Sequence, residues 1–526
     1  SEFDNTTFGT YYTYALSDFE NISASSAFIV VCDLVFALMK PFWAKTSDIY
    51  GRGEMYPVAL VFITIGLVVS ASARSFPAIA AGTFIRVLGM TAINSMNDVI
   101  ITDFTTTRQR GFGVSFQFWP YIIMPWISGY VIDSVMSAGG LGWHWGIGID
   151  AICYPVGVAA ITIIMLVFQR RARRLEAQLV AAPPSTKPKP SFLQVCAALD
   201  LGGLVIAVVS LGFILVPLAL ASLQPQGYRT PWIIALFVLG PIGLLVVLPL
   251  YEARVASNPF FPGRYIKNRV ICLAFLLYFL DYMAAASSHS YLYNWAIIAQ
   301  NMSVLQGTYL SYTNAVTIVF VGIGFGFIMW KTRQYKWWIM LGCVVRMIGY
   351  GVMFHIRTQT NPPYAELYVV QMIQGLGDGL VQTGGFVAAT INVPHSEAAQ
   401  MTALTVLFGI LGQSVGDAIS GAIYTGTFRE ELARELGDSA TPGLINTLFN
   451  SITGAIPAWG TAERIAIVKA YNTVTSYFFV AAMVIITPGF ILVYLLPNQT
   501  LGDTQNLVEE HGMLEKHEDD ARDRTT

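Results

Sequence analysis

The feature that most limits the fold is a succession of long apolar runs joined by short polar links. A helix needs about 20 apolar residues to cross a bilayer. The chain supplies thirteen segments near that length, roughly 26–43, 55–73, 77–103, 111–133, 146–169, 198–222, 231–251, 269–292, 307–330, 335–355, 366–392, 400–427 and 470–496. Phe3 to Leu16 is also apolar but too short to cross, so the chain is expected to begin partway through a first span. That makes fourteen; the alternative is twelve spans with two re-entrant or peripheral segments. Lipid satisfies no backbone hydrogen bonds, so spans of this length must be helical, and the expected class is an all-α membrane protein. Only 12% of the 526 residues are charged, against about 25% in soluble domains.

Lys and Arg set the orientation. With alternate links assigned to the two sides, twenty-one of the thirty basic residues fall on one side and seven on the other, with Arg86 and Arg346 left inside spans. The basic side is expected to be cytosolic. The sequons at Asn21 and Asn301 then face outward, and the one at Asn498 faces inward. A net charge of −2 gives no reason to expect a nucleic-acid partner. Five scattered cysteines, with no CxxC and no Cys/His cluster, imply neither a disulfide framework nor a metal site.

Residues 170–197 read as a cytosolic linker, an Arg cluster followed by Pro183-Pro184-Ser185-Thr186-Lys187-Pro188-Lys189-Pro190. Proline at that density favours an extended, solvated spacer. The expected plan is a six-helix half (1–169), the linker, two inserted helices (198–251), a second six-helix half (252–496) and a polar, acidic tail (497–526). Within the second half, 428–468 is a long external loop. Its Phe428–Leu436 stretch separates charge from apolar residues at helical spacing, which suits a helix lying on the membrane or an outer lid.

Charges at membrane depth carry the functional signal, because each costs roughly 2.5–3.5 kcal/mol at a helix centre and so faces an interior with a partner. Asp4, Asp33, Arg86, Asp281, Arg346 and Asp378 are the candidates for proton coupling. Arg86 is expected to pair with Asp33 or Asp4, and Arg346 with Asp378 or Asp281. The bland reading is a static ion pair that fixes packing. Asp98 and Asp103 lie near the cytosolic ends of their spans, where an interfacial role suffices. Substrate contact is assigned to Tyr11, Tyr14, Trp119, Tyr278, Asp281, Tyr282, His289, Tyr291, Asn294, Trp295, Gln413 and Asp417. The aromatics around Asp281, with Tyr309 and Tyr312 opposite, suit an outer vestibule for a bulky, hydrogen-bonding, partly apolar ligand. No nucleophile–base set or phosphate loop stands out, so an enzyme is not expected.

The link Lys40-Pro41-Phe42-Trp43-Ala44-Lys45-Thr46-Ser47-Asp48-Ile49-Tyr50-Gly51-Arg52 carries an acid, a glycine and basic residues between two spans. Its Ser-Asp-x-x-Gly-Arg core resembles the loop between helices two and three of major facilitator transporters. Arg86-Val87-Leu88-Gly89-Met90 resembles the fourth-helix pattern of proton-coupled facilitators. Met124-Pro125-Trp126-Ile127-Ser128-Gly129 resembles an antiporter motif but departs from it at Met124 and Ser128. Phe3-Asp4-Asn5-Thr6-Thr7, Phe260-Phe261-Pro262, Gln374-Gly375-Leu376-Gly377, Val393-Pro394-His395 and Glu463-Arg464 together look like the fungal siderophore–iron transporter family within the major facilitators. The resemblance implies a fourteen-helix facilitator fold and proton-driven uptake of intact ferric siderophores. Iron would travel inside the chelate, no cofactor would be needed, and the expected form is a monomer in the plasma membrane, with endosomal or vacuolar membranes as alternatives. It also implies a conformational latch of Asp48, Gly51 and Arg52 with Arg108 and Arg110. Export of glutathione or xenobiotics by proton antiport, carriage of haem or another chelate, and a non-transporting receptor are the rival readings.

Overall fold

The computed structural model describes residues 2–19, 21, 25–137, 140–179, 200–221, 224, 226–256, 263–357, 363–394, 397–450 and 457–502. The Pro-rich part of the linker, Phe260-Phe261-Pro262, Ile22-Ser23 of the first sequon, His395 and the acidic tail from 503 lie outside these residues, as do the side chains of Asp48 and Asp103.

The described residues are helical, with no strand among them. In chain order the helices are α1 (Glu2–Asp18), α2 (Ser25–Tyr50), α3 (Arg52–Ala71), α4 (Phe76–Phe104), α5 (Thr107–Phe116), α6 (Met124–Met136) and α7 (Gly142–Leu179). After the linker come α8 (Leu201–Leu220), α9 (Pro231–Arg254, with a π-helical turn at Gly243–Val247), α10 (Arg269–His289), α11 (Leu292–Ile298) and α12 (Val304–Thr332). The last are α13 (Lys336–Ile356), α14 (Tyr364–Thr390), α15 (Ala398–Leu436), α16 (Pro442–Asn450) and α17 (Ala462–Leu495). Length and apolarity alone qualify ten segments as spans among the described residues, so the chain is a multi-pass membrane protein. A count of fourteen needs four more. The other expected segments, α1, α2, the broken α5–α6 pair and the polar, Gly-rich α14, do not qualify by that measure, though all pack within the bundle.

The segment expected at 111–133 is not one helix. It is α5, a 3-10 turn at Trp119–Ile122, and α6. Pro120 and Pro125 each lack the N–H that an unbroken helix would need. The basic link is also shorter than the sequence suggests. Helix α2 runs on to Tyr50 and α3 starts at Arg52, leaving Gly51 as the hinge. Gly51 has φ +98°, a conformation open to glycine but strained for other residues. Helix α7 continues to Leu179, so Arg170–Arg174 are helical. From there Arg173 pairs with Glu54 and donates to the Tyr50 carbonyl at 2.7 Å, bracing the hinge.

Two seams join the halves: α2 lies along α15, and α5 with α6 lies along α12. The inserted helix α8 packs over the first seam, against α2 and α15. The stretch at Phe428–Leu436 does not lie on a membrane surface. It extends α15, with Phe428, Leu432 and Leu436 buried beside Phe449 of α16 and Tyr471 of α17. The start of the tail is packed too. Leu501 N donates to the Arg333 carbonyl at 3.0 Å, and Thr107 donates to the Gly502 carbonyl at 2.9 Å, so residues 497–502 strap the basic end across both halves.

Candidate functional site

At the basic end the halves are closed against each other. Arg108 Nε donates to the Trp330 carbonyl at 2.7 Å, and Arg110 Nη1 donates to the Thr390 carbonyl at 3.0 Å. Both carbonyls lie in the last turn of a helix, where the partial negative charge favours a cation. The expected latch therefore divides. Arg108 and Arg110 bind the C-terminal half directly, whereas Gly51 turns the α2–α3 corner, which α7 braces.

Toward the outer end a cavity of about 240 Å³ remains between the halves. Its N-terminal wall includes Phe8, Tyr12, Phe28, Cys32 and Arg86, and its C-terminal wall Ser290, Tyr291 and Asn294. Small-molecule sites typically enclose about 300–1,000 Å³, so this cavity is small for a bulky ligand.

Arg86 settles which acid it prefers. Its Nε and Nη2 donate to the two carboxylate oxygens of Asp4 at 3.2 and 2.6 Å, and its guanidinium lies 4.0 Å from the Phe8 ring centre. A bidentate pair of this kind is both strong and directional. A second acid, Asp150 of α7, is buried nearby and accepts from the Thr7 hydroxyl at 2.8 and 3.0 Å. Thr7 sits one turn beyond Asp4 on α1, so α1 presents both acids to one arginine. Sequence reasoning missed Asp150. It stands near the start of an apolar run, at Gly148-Ile149-Asp150-Ala151, where a carboxylate reads as a span end.

The C-terminal half repeats this ratio. Arg346 forms ion pairs with both Asp281 and Asp378, and all three side chains are fully buried. Arg346 Nη2 also donates to the Asp281 carbonyl at 2.8 Å and Nε to the Tyr350 hydroxyl at 2.9 Å. Asn314 donates to Asp378 at 3.3 Å. Both expected partners are therefore correct, but Asp281 is sealed inside its half and does not face the outer cavity.

Asp33 does not meet Arg86. It accepts from Gln413 Nε2 at 3.3 Å across the α2–α15 seam. Asp417, on the same side of that seam as Gln413, accepts from the Ser290 hydroxyl. Lys40 is no loop residue but a buried cation, paired with Asp98 at 2.9 Å. Asp98 is therefore a buried partner rather than an interfacial acid.

The aromatic cluster assigned to substrate separates into several places. Tyr291 and Asn294 line the outer cavity. Tyr278 and Tyr282 instead line a cavity of about 80 Å³ deeper in the bundle, with Ser115 and Thr383. Trp295 is buried and donates to Asn472 at 2.8 Å, and His289 Nε2 lies 2.8 Å from Gln371. Tyr11 is buried against Gly146, and Trp119 is exposed. The Tyr14 hydroxyl lies 3.5 Å from that of Tyr293, joining the halves near the outer rim, and Tyr309 packs on Trp126. Tyr278 and Tyr282, one turn apart, share a face of α10 and a cavity, whereas Tyr291, Asn294 and Trp295 lie beyond its end at His289, where the helical period no longer sets direction.

A two-halved helical bundle with charged residues around an internal cavity is the architecture of a membrane transporter. The chain belongs to the major facilitator superfamily, whose family model matches residues 1–329. It is 28% identical to siderophore transporter fer7 of Mycosarcoma maydis over 96% of this chain and 79% of that one. It is 29% identical to siderophore iron transporter ARN1 of Saccharomyces cerevisiae over 94% and 79%. It is also 25% identical to low affinity heme transporter str3 of Schizosaccharomyces pombe over 97% and 81%. Its fold is similar to that of a bacterial homolog of the human lysosomal transporter Spinster, in an inward-facing and occupied conformation. The TM-score is 0.54, over 94% of this chain and 93% of that one, at 14% identity.

Proposed function

We propose that the protein imports ferric siderophores by alternating access, driven by protons. The carrying observation is the cavity between the halves, whose wall holds the Arg86–Asp4 pair beside aromatic and neutral polar groups. Such a wall suits a bulky chelate with apolar and hydrogen-bonding parts. The iron, fully ligated by the chelate, is cargo and needs no ligand from the protein. The names of the curated relatives support the same substrate class.

The residues give the coupling a concrete form. Asp4 occupies two donors of Arg86 while it is ionised. A proton on Asp4 removes that charge and frees guanidinium donors for acceptor atoms of the substrate. Asp150, held by Thr7, places a second acid of the N-terminal half beside the pair. Substrate then enters from the outer end while the Arg108 and Arg110 contacts keep the basic end closed. Release requires those contacts to part. The working unit is a monomer in the plasma membrane.

A second reading, carriage of haem or a related chelate, is favoured by the relative named for low-affinity haem transport. Both readings are tested by uptake of radio-iron siderophores in cells lacking other carriers, with haem and glutathione as competitors. Uptake blocked by haem alone would overturn the siderophore assignment. Substrate leaving preloaded cells would favour the antiport alternative.

A further inference from the structure

Helices α2 and α15 belong to opposite halves, and two carboxyls meet in their seam. Asp33 of α2 is held by Gln413 of α15, and Asp417 stands one turn beyond Gln413 on the same helix, which brings the two carboxyls within reach of each other. Each has a neutral donor, Gln413 Nε2 on Asp33 at 3.3 Å and the Ser290 hydroxyl on Asp417. An ionised carboxylate can only accept, so a hydrogen bond between two carboxyls requires that one of them carry a proton.

The other ionisable groups on the helices packed around the pair have partners of their own or stand away from it. On α4, Arg86 lines the same cavity but gives its donors to Asp4. On α10, His289 turns to Gln371 and Asp281 to Arg346. On α14, Asp378 is bound to Arg346. Cys32, beside Asp33, faces the cavity. Helix α17 carries Glu463, Arg464 and Lys469 in its first turns, at the outer end, and α8 offers Ile214 and Leu215 to the seam.

We infer that Asp33 and Asp417 form a proton-operated clasp between the halves, closed while they share one proton and driven apart when both are ionised. The step is a balanced acid dissociation. The carboxyl loses its proton to water, the shared hydrogen bond is lost, and two like charges face each other across the seam. This rests on the proton-coupled reading and adds the place where the proton does mechanical work. It also fixes a direction: acid on the outer side closes the outer seam.

The test uses spin labels at Ser72→Cys and Ala365→Cys, exposed positions at the outer ends of the two halves, with the native cysteines replaced and the protein in nanodiscs without substrate. The expected result is a shorter outer distance at about pH 5 than at about pH 8, because a proton shared by the pair closes the clasp. Asp33→Asn, whose amide donates to Asp417 without a proton, should hold the short distance at both values. Asp33→Ala with Asp417→Ala should remove the response, and Asp4→Asn should retain it. A wild-type distance unchanged by pH, or an Asp33→Asn variant that follows pH like the wild type, overturns the clasp. No siderophore is present, so the two readings fail separately. An intact pH response with uptake indifferent to the proton gradient would sink symport and leave the clasp standing.

Discussion

Gly326 of α12 packs against the backbone of α5 near the basic end, and the effect of adding a single methyl there can be worked out. A Cβ at 326 would stand 2.6 Å from the backbone N and Cα of Phe112 and 2.8 Å from the carbonyl carbon of Gly111. Favourable carbon contacts begin at about 3.5 Å, and backbone cannot rotate aside, so α5 and α12 must part by roughly 1 Å at this point. Overpacking of this kind costs about 1–3 kcal/mol. Once the basic end has opened, residue 326 no longer faces Phe112 and the cost disappears. The penalty therefore falls on the balance between states, moving it about 5- to 150-fold toward the open basic end. The better helix propensity of Ala, about 0.5–1 kcal/mol, applies in both states and cancels. Gly111→Ala is the internal control, because its Cβ would first meet the terminal methyl of Met329 at 2.5 Å, the end of a flexible side chain. The assay pairs spin-label distances across the basic end with siderophore uptake. Gly326→Ala should lengthen the distance and depress uptake, and Gly111→Ala should change either little. Unchanged distances in a folded Gly326→Ala protein would refute the seam.

Three further outcomes are expected. Asp150→Asn keeps its bond to Thr7 but removes the second titratable acid beside Arg86; it should lower proton-driven uptake about tenfold, or 1.4 kcal/mol, with substrate binding changed less than threefold, as read by uptake against equilibrium binding. Arg346→Ala leaves Asp281 and Asp378 buried without their cation, and breaking such a pair costs about 3–5 kcal/mol; a sharply lowered melting temperature should appear, with partial recovery when both acids are made Asn. Truncation after Pro497 removes the strap formed by Leu501 and Gly502. It should lengthen basic-end distances as Gly326→Ala does, while leaving the outer pH response in place.

The architecture was legible because hydrophobicity is a cumulative signal. Each span announces itself over about 20 residues, and the basic residues orient the chain by sum, so losing Lys40 from the loop count changes nothing. Arg346 and its two acids were legible for a related reason, since charges at mid-span must find each other. What escaped depends on which face of a helix each residue presents. Asp33 and Asp4 were equal candidates for Arg86 until α1 placed Asp4 within bidentate reach. Tyr278 and Tyr291 read as one cluster, but the end of α10 sends them to different cavities. Asp150 stands near the mouth of an apolar run, where sequence alone does not separate a buried acid from an interfacial one. Arg108 and Arg110 meet the C-terminal half through backbone carbonyls, which no residue pattern displays.

In the proposed mechanism a proton gradient drives a ferric chelate inward through the cavity beside Arg86. The most direct test is accumulation of a radio-iron hydroxamate siderophore in proteoliposomes with an acid exterior, measured with and without an uncoupler. Uptake above equilibrium that collapses with the gradient, and is absent in Asp4→Asn, is the predicted result. Equal accumulation with the gradient dissipated, or none above equilibrium when it is imposed, would contradict it.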